Sequence, residues 1–536
     1  MAGTGGFTAG LQRAGRYGSA VLPSGKVGAG LIMDGGYLMN MQINSGWASL
    51  TTLALVMSLQ GCGGGGEDTT ALVKQIPVNT PATIAQVSAD DYNLNENGLI
   101  TESTLKRWKD DWLNQRPAGI TGNLVILQVT AGPAGAEYIK PNGLNVFTYL
   151  SPSSEWIQTR TNGVIETPSV VLDGATMDAL LKKYNIDPQK DMIVAAMGTG
   201  SNPSAMAQGR VWYALRYWGV DKKNLAILNG GNQWLDDNLG LPVELLPADF
   251  QATASTAPGT GQASVKNLLV DNTQLQATVG DMMKILPSSD TNVQTDGVFI
   301  WDARSLSQYS AGEMVELGED TNSDTAGTQA CATAFCTPVN PSNYMWTFQN
   351  SGSRQGHPFG TLQLQYTHML DATKGFSYRP KAELAAMLAG GTNASGIGFV
   401  DASYGLVGVG NAYQEGDTIY AYCETTFRAM ITGVTSAVIL GKPTRFYDGA
   451  MVEWNSLTYA TDATGNYILP ADSPWRTDVV SFSRPATSNT LVAQRYITDA
   501  YAKSSNAVID ADKAYKYGEI IPAGGTSAAP ANPCGG

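Results

Sequence analysis

The sequence predicts an α/β protein with two similar halves, each built on a parallel sheet flanked by helices. Strand-like apolar runs alternate along the chain with longer helix-like segments, a pattern typical of parallel sheets with crossover helices. One order of such segments occurs twice, which indicates a duplicated domain. The chain also has 536 residues, which is too long for one compact core and favours two domains.

The repeated order is a helix, a glycine that ends it, a short strand, a glycine turn and a helix that carries tryptophan. The first copy runs from Gly209 to Trp234 and has its helix-ending glycine at Gly219. The second copy runs from Phe427 to Trp454. We therefore expect the two halves to have the same topology.

Cys423 lies between a predicted strand and a predicted helix. Residues 417–422 form an apolar, aromatic run that predicts a buried strand, and residues 429–440 predict a helix with one apolar side. Backbone N–H groups of the intervening loop and the positive helix end then surround the sulfur. Such a setting favours the thiolate, which is the reactive form of cysteine. We predict that Cys423 is a nucleophile suited to sulfur or oxyanion chemistry.

Composition excludes several other classes of function. The net charge is -13 and no basic run is present, so nucleic acid is not an expected partner. His357 and His368 are the two histidines of the chain, which argues against His-rich metal sites and most Ser–His or Cys–His mechanisms. We therefore predict neither a metal nor a cofactor. The five cysteines contain no CxxC pair and do not suggest a disulfide framework.

Further motifs accompany Cys423, and together they resemble the tandem-domain rhodanese-like sulfurtransferases, the family that uses thiosulfate or 3-mercaptopyruvate. The motifs are Asp302-Ala303-Arg304, Tyr309, Gly356-His357-Pro358, Tyr378-Arg379-Pro380-Lys381, the loop from Cys423 to Arg428, and Tyr447-Asp448-Gly449 with Trp454. The resemblance covers residues 100–250 and 295–456. It implies two rhodanese-like domains, with loop-rich insertions in the second.

The resemblance also implies a mechanism. Cys423 takes sulfane sulfur from a donor, becomes a persulfide and passes the sulfur to cyanide or a thiol, with no cofactor. The family's first domain usually lacks the cysteine, and here the equivalent loop, Met197 to Pro203, has none. Gln128-Val129-Thr130 stands there in place of Asp-x-Arg. The implied substrate-binding residues are Glu424, Thr425, Thr426, Phe427 and Arg428. The implied structural supports of the site are Asp302, Arg304 and His357.

The loop itself has two informative features. Four residues separate Cys423 from Arg428, whereas cysteine phosphatases need five to wrap a tetrahedral oxyanion, so the shorter loop favours one sulfur atom. In relatives the position of Glu424 is often basic or small, and the position of Gln308 is often basic. A carboxylate facing inward at Glu424 would disfavour the thiolate, so we expect it to point to solvent or pair with Arg428.

The N-terminal region resembles a bacterial lipoprotein signal. Residues 47–59 are apolar but too short to span a bilayer, and they lead into Leu59-Gln60-Gly61-Cys62 and then four glycines. We expect Cys62 to be lipidated and to anchor the chain in the bacterial cell envelope. Gly63 differs from the aspartate typical of inner-membrane retention, which favours the outer membrane.

These patterns predict the following domain organisation. The predicted parts are an upstream signal (1–61), a lipid anchor and tether (62–95), a domain without catalytic cysteine (96–255), a linker (256–294), the catalytic domain (295–521) and a tail (522–536). The predicted insertions are Ser310–Arg354, Gly390–Gly416 and Ser456–Pro522. In the first insertion we expect Cys331 and Cys336 to form a local disulfide or to act as resolving thiols near Cys423.

Three functions are consistent with the sequence. The first is sulfur transfer from a small donor to a thiol or cyanide through Cys423. The second is a non-enzymatic scaffold that binds a partner in a cell-envelope complex, which the insertions, Glu424 and Gln308 favour. The third is reduction of a chalcogen oxyanion, which would require an added thiol. The retained cysteine and arginine favour the first, because a scaffold would need neither.

Overall fold

The computed structural model describes residues 76–132, 137–164, 166–232, 245–310, 314–316, 336–338, 356–458 and 505–518. All of these residues belong to one contact unit of the chain. The predicted signal, the lipidation site Cys62, Cys331 and the tail that contains Cys534 lie outside the described residues. Of Cys336 only the backbone is described. The lipid anchor, the envelope location and the local disulfide therefore stay predictions.

The first half is built on a five-stranded parallel sheet. The strands of this half are β1 (Gly98–Ile100), β2 (Leu124–Gln128), β3 (Tyr138–Ile139), β4 (Val146–Leu150), β5 (Gln158–Thr161), β6 (Glu166–Val170), β7 (Met192–Ala196), β8 (Leu225–Leu228) and β9 (Phe250–Gln251). The sheet has the order β1-β8-β7-β2-β4, and every neighbouring pair is parallel. Two short antiparallel pairs, β3 with β9 and β5 with β6, lie outside it.

The second half repeats this topology. Its strands are β10 (Gln276–Ala277), β11 (Val298–Asp302), β12 (Met314–Glu316), β13 (Cys336–Pro338), β14 (Thr361–Gln363), β15 (Leu370–Asp371), β16 (Ser377–Tyr378), β17 (Thr418–Tyr422) and β18 (Thr444–Tyr447). The sheet has the order β10-β18-β17-β11-β14, again all parallel. Strand for strand, this is the order of the first sheet. The predicted α/β fold with two similar halves is confirmed.

Helices cover the sheets and connect the strands. They are α1 (Pro81–Ile84), α2 (Glu102–Asp110), α3 (Trp112–Gln115), α4 (Gly174–Tyr184), α5 (Asn202–Tyr217), α6 (Val279–Ile285), α7 (Leu306–Tyr309), α8 (Lys381–Leu388), α9 (Ala429–Gly433), α10 (Ala450–Thr458) and α11 (Ala507–Tyr517). The α5 helix begins at a Ser201 cap, whose side chain accepts from the Ser204 amide, and it is followed by left-handed Gly219. Within the described residues, no helix is long and apolar enough to cross a membrane.

The segments around Cys423 form as predicted, with one addition. The predicted strand at residues 417–422 is β17, and the predicted helix at residues 429–440 is α9. From Val434 to Ile439 this helix continues as a π-helical turn. Hydroxyl side chains bond back to the helix there, and Thr435 Oγ1 donates to the Ile431 carbonyl at 3.0 Å. Such bonds compete with the regular ladder and help to widen the turn.

The two halves share one hydrophobic core. It includes Val125 and Trp212 of the first half together with Trp301 and Phe446 of the second. The α5 and α9 helices cross at Gly209, where an added Cβ would lie 2.7 Å from the Met430 Cβ. The glycine thus lets the two helices approach closely, because a side chain at this position would force them apart.

Three segments lie differently from the predicted domain plan. Residues 76–95 of the predicted tether pack against both halves, and the Gln86 amide donates to the Ala437 carbonyl at 2.8 Å. The predicted linker contains β10, an edge strand of the second sheet. The α11 helix comes from the last insertion of the second domain but lies against the first half, where Arg160 pairs with Asp512. Each segment buries apolar side chains that a solvated linker would expose. These side chains are Ile84, Ala277 and Val508.

Candidate active site

Cys423 lies at the carboxyl edge of the second sheet, directly after β17. This strand lies between β11 and β18, and its last residue, Tyr422, pairs with Asp302. Ligands of parallel sheets typically bind beyond the carboxyl ends of the strands. The cysteine is free and fully buried, with 0% exposure. A reagent therefore reaches the thiol only when neighbouring side chains or the loop move.

The loop after Cys423 presents a run of unbonded backbone amides. Among the described residues, the N–H groups of Thr425 to Ala429 donate to no protein acceptor. The carbonyls are held instead, because the Met451 amide donates to the Cys423 carbonyl at 3.1 Å and the Val452 amide donates to the Glu424 carbonyl. A run of free N–H groups in a tight loop is suited to an anion or a negatively charged sulfur. The predicted binding loop therefore has the required donors.

Thr426 has an unusual backbone conformation within this loop. Its φ is 65°, a left-handed value that β-branched residues rarely adopt. Its Oγ1 lies within hydrogen-bond distance of two carbonyls, that of Tyr447 at 2.9 Å and that of Asp448 at 3.1 Å. These bonds hold the loop against the turn that follows β18.

Arg428 supplies a positive charge beside the loop. Its Nη1 donates to the Gln308 Oε1 on α7 at 2.5 Å. Gln308 is the position that is often basic in relatives, and here its neutral amide orients the arginine instead. The site therefore has Arg428 without a second cation at position 308.

Tyr366 is a site residue that the sequence reasoning missed. It follows β14, and its amide donates to the Ala303 carbonyl at 3.2 Å. Burial raises the pKa of Tyr366, while Arg428 lowers it and Cys423 raises it, which places its hydroxyl within electrostatic range of both residues. Because β14 lies beside β11 and β11 beside β17, the ends of these strands meet at the same edge. That placement follows from sheet order, which local sequence patterns do not give.

Asp302 and Arg304 form a fully buried ion pair at the end of β11. The Arg304 Nε lies 2.9 Å and 3.0 Å from the two carboxylate oxygens of Asp302. The hydroxyl of Tyr422 donates to the same carboxylate at 3.0 Å, and the Arg304 Nη2 donates to the Gly356 carbonyl. Burial alone would lower the pKa of Arg304, but Asp302, with smaller contributions that include Glu424, raises it. The pair thus ties the strand ends to the Gly356 turn, which fits the predicted supporting role.

Glu424 interacts with Arg304, a partner that was not expected. Its contribution to the raised pKa of Arg304 places its carboxylate within electrostatic range of that guanidinium. The expected alternatives were solvent or Arg428. A buried cation near Glu424 offsets the repulsion that its carboxylate would otherwise exert on a thiolate.

His357 is buried in the turn before β14. Its Nδ1 lies 2.8 Å from the Tyr309 carbonyl, its Nε2 lies 2.9 Å from the Asp290 carboxylate, and its ring stacks on that of Tyr309. Burial alone would lower the pKa of His357, but Asp290 and the backbone hydrogen bond raise it. Both ring nitrogens have protein partners, so the arrangement fits a residue that fixes the turn.

The equivalent loop of the first half is filled by the chain itself. Gln128 pairs with Ala196 as Asp302 pairs with Tyr422, so Met197 stands at the position of Cys423. The Thr199 amide donates to the Ala131 carbonyl at 2.6 Å, and the Thr130 hydroxyl donates to the Met197 carbonyl. The first half therefore lacks the thiol, and the Thr199 amide of its loop already has an acceptor within the chain. Within the described residues, no group of three or more acidic, His or Cys side chains is placed to hold a metal ion.

Comparison with known proteins gives distant structural likenesses. No family model matches the sequence, and no curated protein matches it. The structure is similar to Tum1 protein from Saccharomyces cerevisiae, with 14% identity, a TM-score of 0.42 and coverage of 67% of this chain and 95% of that chain. It is also similar to an anaerobic ergothioneine biosynthesis enzyme from Chlorobium limicola, with 12% identity, a TM-score of 0.39 and 68% of each chain covered. A third similar structure is YnjE, with 16% identity, a TM-score of 0.35 and coverage of 68% of this chain and 67% of that chain. Because these TM-scores are all below 0.5, the fold and the chemistry proposed below rest on the chain's own topology and residues.

Proposed function

We propose that the chain is a rhodanese-like sulfurtransferase that carries sulfane sulfur on Cys423. The observation that supports this most directly is the run of unbonded amides from Thr425 to Ala429 around the end of β17. These donors can stabilise a thiolate and the persulfide anion that replaces it. Arg428 would attract the charged end of a donor such as thiosulfate or 3-mercaptopyruvate.

The proposed reaction has two displacements. In the first, the Cys423 thiolate attacks the outer sulfur of thiosulfate, a new S–S bond forms, and sulfite leaves with the electron pair of the broken bond. With 3-mercaptopyruvate the C–S bond breaks instead, and the carbon takes a proton to give pyruvate. In the second displacement, a thiolate or cyanide attacks the outer sulfur. The persulfide bond breaks and returns its electron pair to Cys423.

The buried thiol favours a second candidate, a rhodanese-like scaffold that binds a protein partner. Cys423 has 0% exposure, and position 308 carries no second cation for an anionic donor. A scaffold would require neither an accessible thiol nor a donor-binding pair of cations. The same experiment separates the two candidates.

The test is intact-mass spectrometry of protein lacking residues 1–66, before and after incubation with thiosulfate or 3-mercaptopyruvate. We expect a gain of about one sulfur mass that is absent from Cys423→Ser and is lost again on adding cyanide. The control is Cys331→Ser with Cys336→Ser, which should keep the adduct. Protein that gains no mass with either donor would contradict the proposal and support the scaffold.

A further inference from the structure

Asp448, a buried residue in the turn after β18, connects the cysteine loop to the first half of the molecule. Its carboxylate accepts from Arg210 Nη1 at 2.8 Å, from the Tyr213 hydroxyl at 3.0 Å and from the Val171 amide at 2.8 Å. All three donors belong to the first half. The fourth donor is the Gln276 Nε2 of β10, which lies 3.0 Å from the same carboxylate. The side chains of Arg210 and Asp448 are both fully buried.

The backbone of the same residue holds the cysteine loop. The Asp448 carbonyl lies 3.1 Å from Thr426 Oγ1, next to the Tyr447 carbonyl at 2.9 Å. Three and four residues further on, the amides of Met451 and Val452 donate to the carbonyls of Cys423 and Glu424. The turn after β18 is therefore a clamp on the loop, and Asp448 fixes this clamp to the first half.

The clamp explains the backbone of Thr426. A threonine at φ 65° is strained, and Ala450, the first residue of α10, is also left-handed, with φ 51°. Without its hydrogen bonds to the turn, Thr426 would relax toward an ordinary φ. The amides of Phe427 and Arg428 would then move with it, because they follow it directly in the loop.

We infer that Thr426 and Asp448 are positioning residues through which the first half, which has no catalytic cysteine, holds the Cys423 loop in its reactive conformation. A buried charge with four donors has little freedom to move, so the turn can serve as a rigid reference for the loop. The inference deepens the proposed function and depends on it where sulfur transfer is measured.

The chain offers a matched control for a contact between the halves. Asn229 follows β8 as Asp448 follows β18, and its Oδ1 accepts from the Tyr378 amide of the second half at 2.8 Å. Here the side chain belongs to the first half and its partner to the second, the reverse of Asp448. The contact does not involve the loop from Cys423 to Arg428. Asn229→Ala therefore removes an equivalent contact without releasing the clamp.

The test compares persulfide formation in Thr426→Val, Thr426→Ser, Asp448→Asn and Asn229→Ala. Thr426→Val keeps the shape of the side chain and removes the hydroxyl. We expect it to slow persulfide formation at saturating donor by about tenfold or more, with the half-saturating donor concentration within about twofold. Thr426→Ser should recover at least about a third of the rate, because the hydroxyl returns. Asp448→Asn should match Thr426→Val, and the double variant should lose little more than either.

A second measurement does not depend on sulfur transfer. Hydrogen exchange of the Met451 and Val452 amides reports the clamp directly, because both donate to the loop. We expect faster exchange in Thr426→Val and Asp448→Asn, and wild-type exchange in Asn229→Ala. If Thr426→Val keeps both the wild-type rate and the wild-type exchange, or if Asn229→Ala loses as much as Asp448→Asn, the inference is wrong. If the wild type forms no persulfide, the proposed function fails, while the exchange data still decide the coupling.

Discussion

At the scale of single residues, Glu453 is a buried acid that lies beside the turn after β18, close to the Cys423 loop. It lies on α10 and is buried, and the Tyr447 hydroxyl donates to its carboxylate at 2.9 Å. Burial raises the pKa of Glu453 to about 7, because it outweighs the lowering by the hydrogen bond from Tyr447, and Asp448 adds a smaller increase. The fold thus favours the protonated acid.

We predict that this group makes the protein less stable as the pH rises. Because the folded pKa lies above the usual 4.5, its contribution is complete below that pH and is lost as the pH passes through about 7. The loss is about 3 kcal/mol in the free energy of unfolding. Glu453→Gln should remove this dependence in urea unfolding at pH 5 and pH 8. Glu383→Gln, on a partly exposed pair with Arg379, should keep it, and an unchanged pH dependence in Glu453→Gln would count against the assignment.

At the scale of elements, α11 links the end of the described chain to the first half. Asp512 on this helix receives Arg160 Nη2 at 2.7 Å and the Tyr217 hydroxyl at 2.8 Å. Lys516 donates to the carbonyls of Trp218 and Val270. The helix and the first half therefore satisfy each other's buried polar groups. Removing one partner would leave a buried donor or acceptor without a hydrogen bond.

Breaking the buried pair should destabilise the protein far more than breaking an exposed one. Arg160→Met leaves the Asp512 carboxylate buried without its cation, and we expect the free energy of unfolding to fall by about 3 kcal/mol. Lys190→Met removes a pair with Asp187 whose side chains are 64% and 37% exposed, and should cost far less, because water screens an exposed pair. Equal effects of the two substitutions in urea unfolding would refute the distinction.

Local sequence patterns predicted the elements around Cys423 but not their partners. β17 and α9 were predictable because an apolar run and a helical period of apolar residues both occur within one element, although every residue from 429 to 440 is buried. Strand β10 was not, because its two residues are too few to show a period. The places of Tyr366 and Arg210 near the site also escaped prediction, since they depend on sheet order and on how the halves pack.

At the scale of the whole molecule, the two halves share an extensive interface, and we predict that they unfold as one cooperative body. Their central helices, α5 and α9, cross at Gly209, and one core cluster contains residues of both. The buried pair of Arg210 with Asp448 lies in the same interface. Separation of the halves would expose this apolar surface and leave both charges in need of new partners.

Gly209→Ala tests this cooperativity. The added methyl would lie 2.7 Å from the Met430 Cβ, and overpacking of this kind costs about 1–3 kcal/mol, set against about 1 kcal/mol gained from helix propensity. We expect a single calorimetric transition at lower temperature. Gly405→Ala, whose methyl would meet only Ser403 Oγ and Asp401 at 3.5 Å or more, should leave the midpoint near that of the wild type. Two separate transitions would show that the halves unfold independently.

The closed loop of the first half limits how this duplicated protein can be altered. Met197 occupies the place of the cysteine, but the Ala131 carbonyl already takes the Thr199 amide, and an added Cβ at Gly198 would lie 1.9 Å from the Thr130 carbonyl. Installing a thiol at position 197 would therefore not create a second centre. The first half would need a new end to β2 as well, so the asymmetry between the halves cannot be reversed by one codon change.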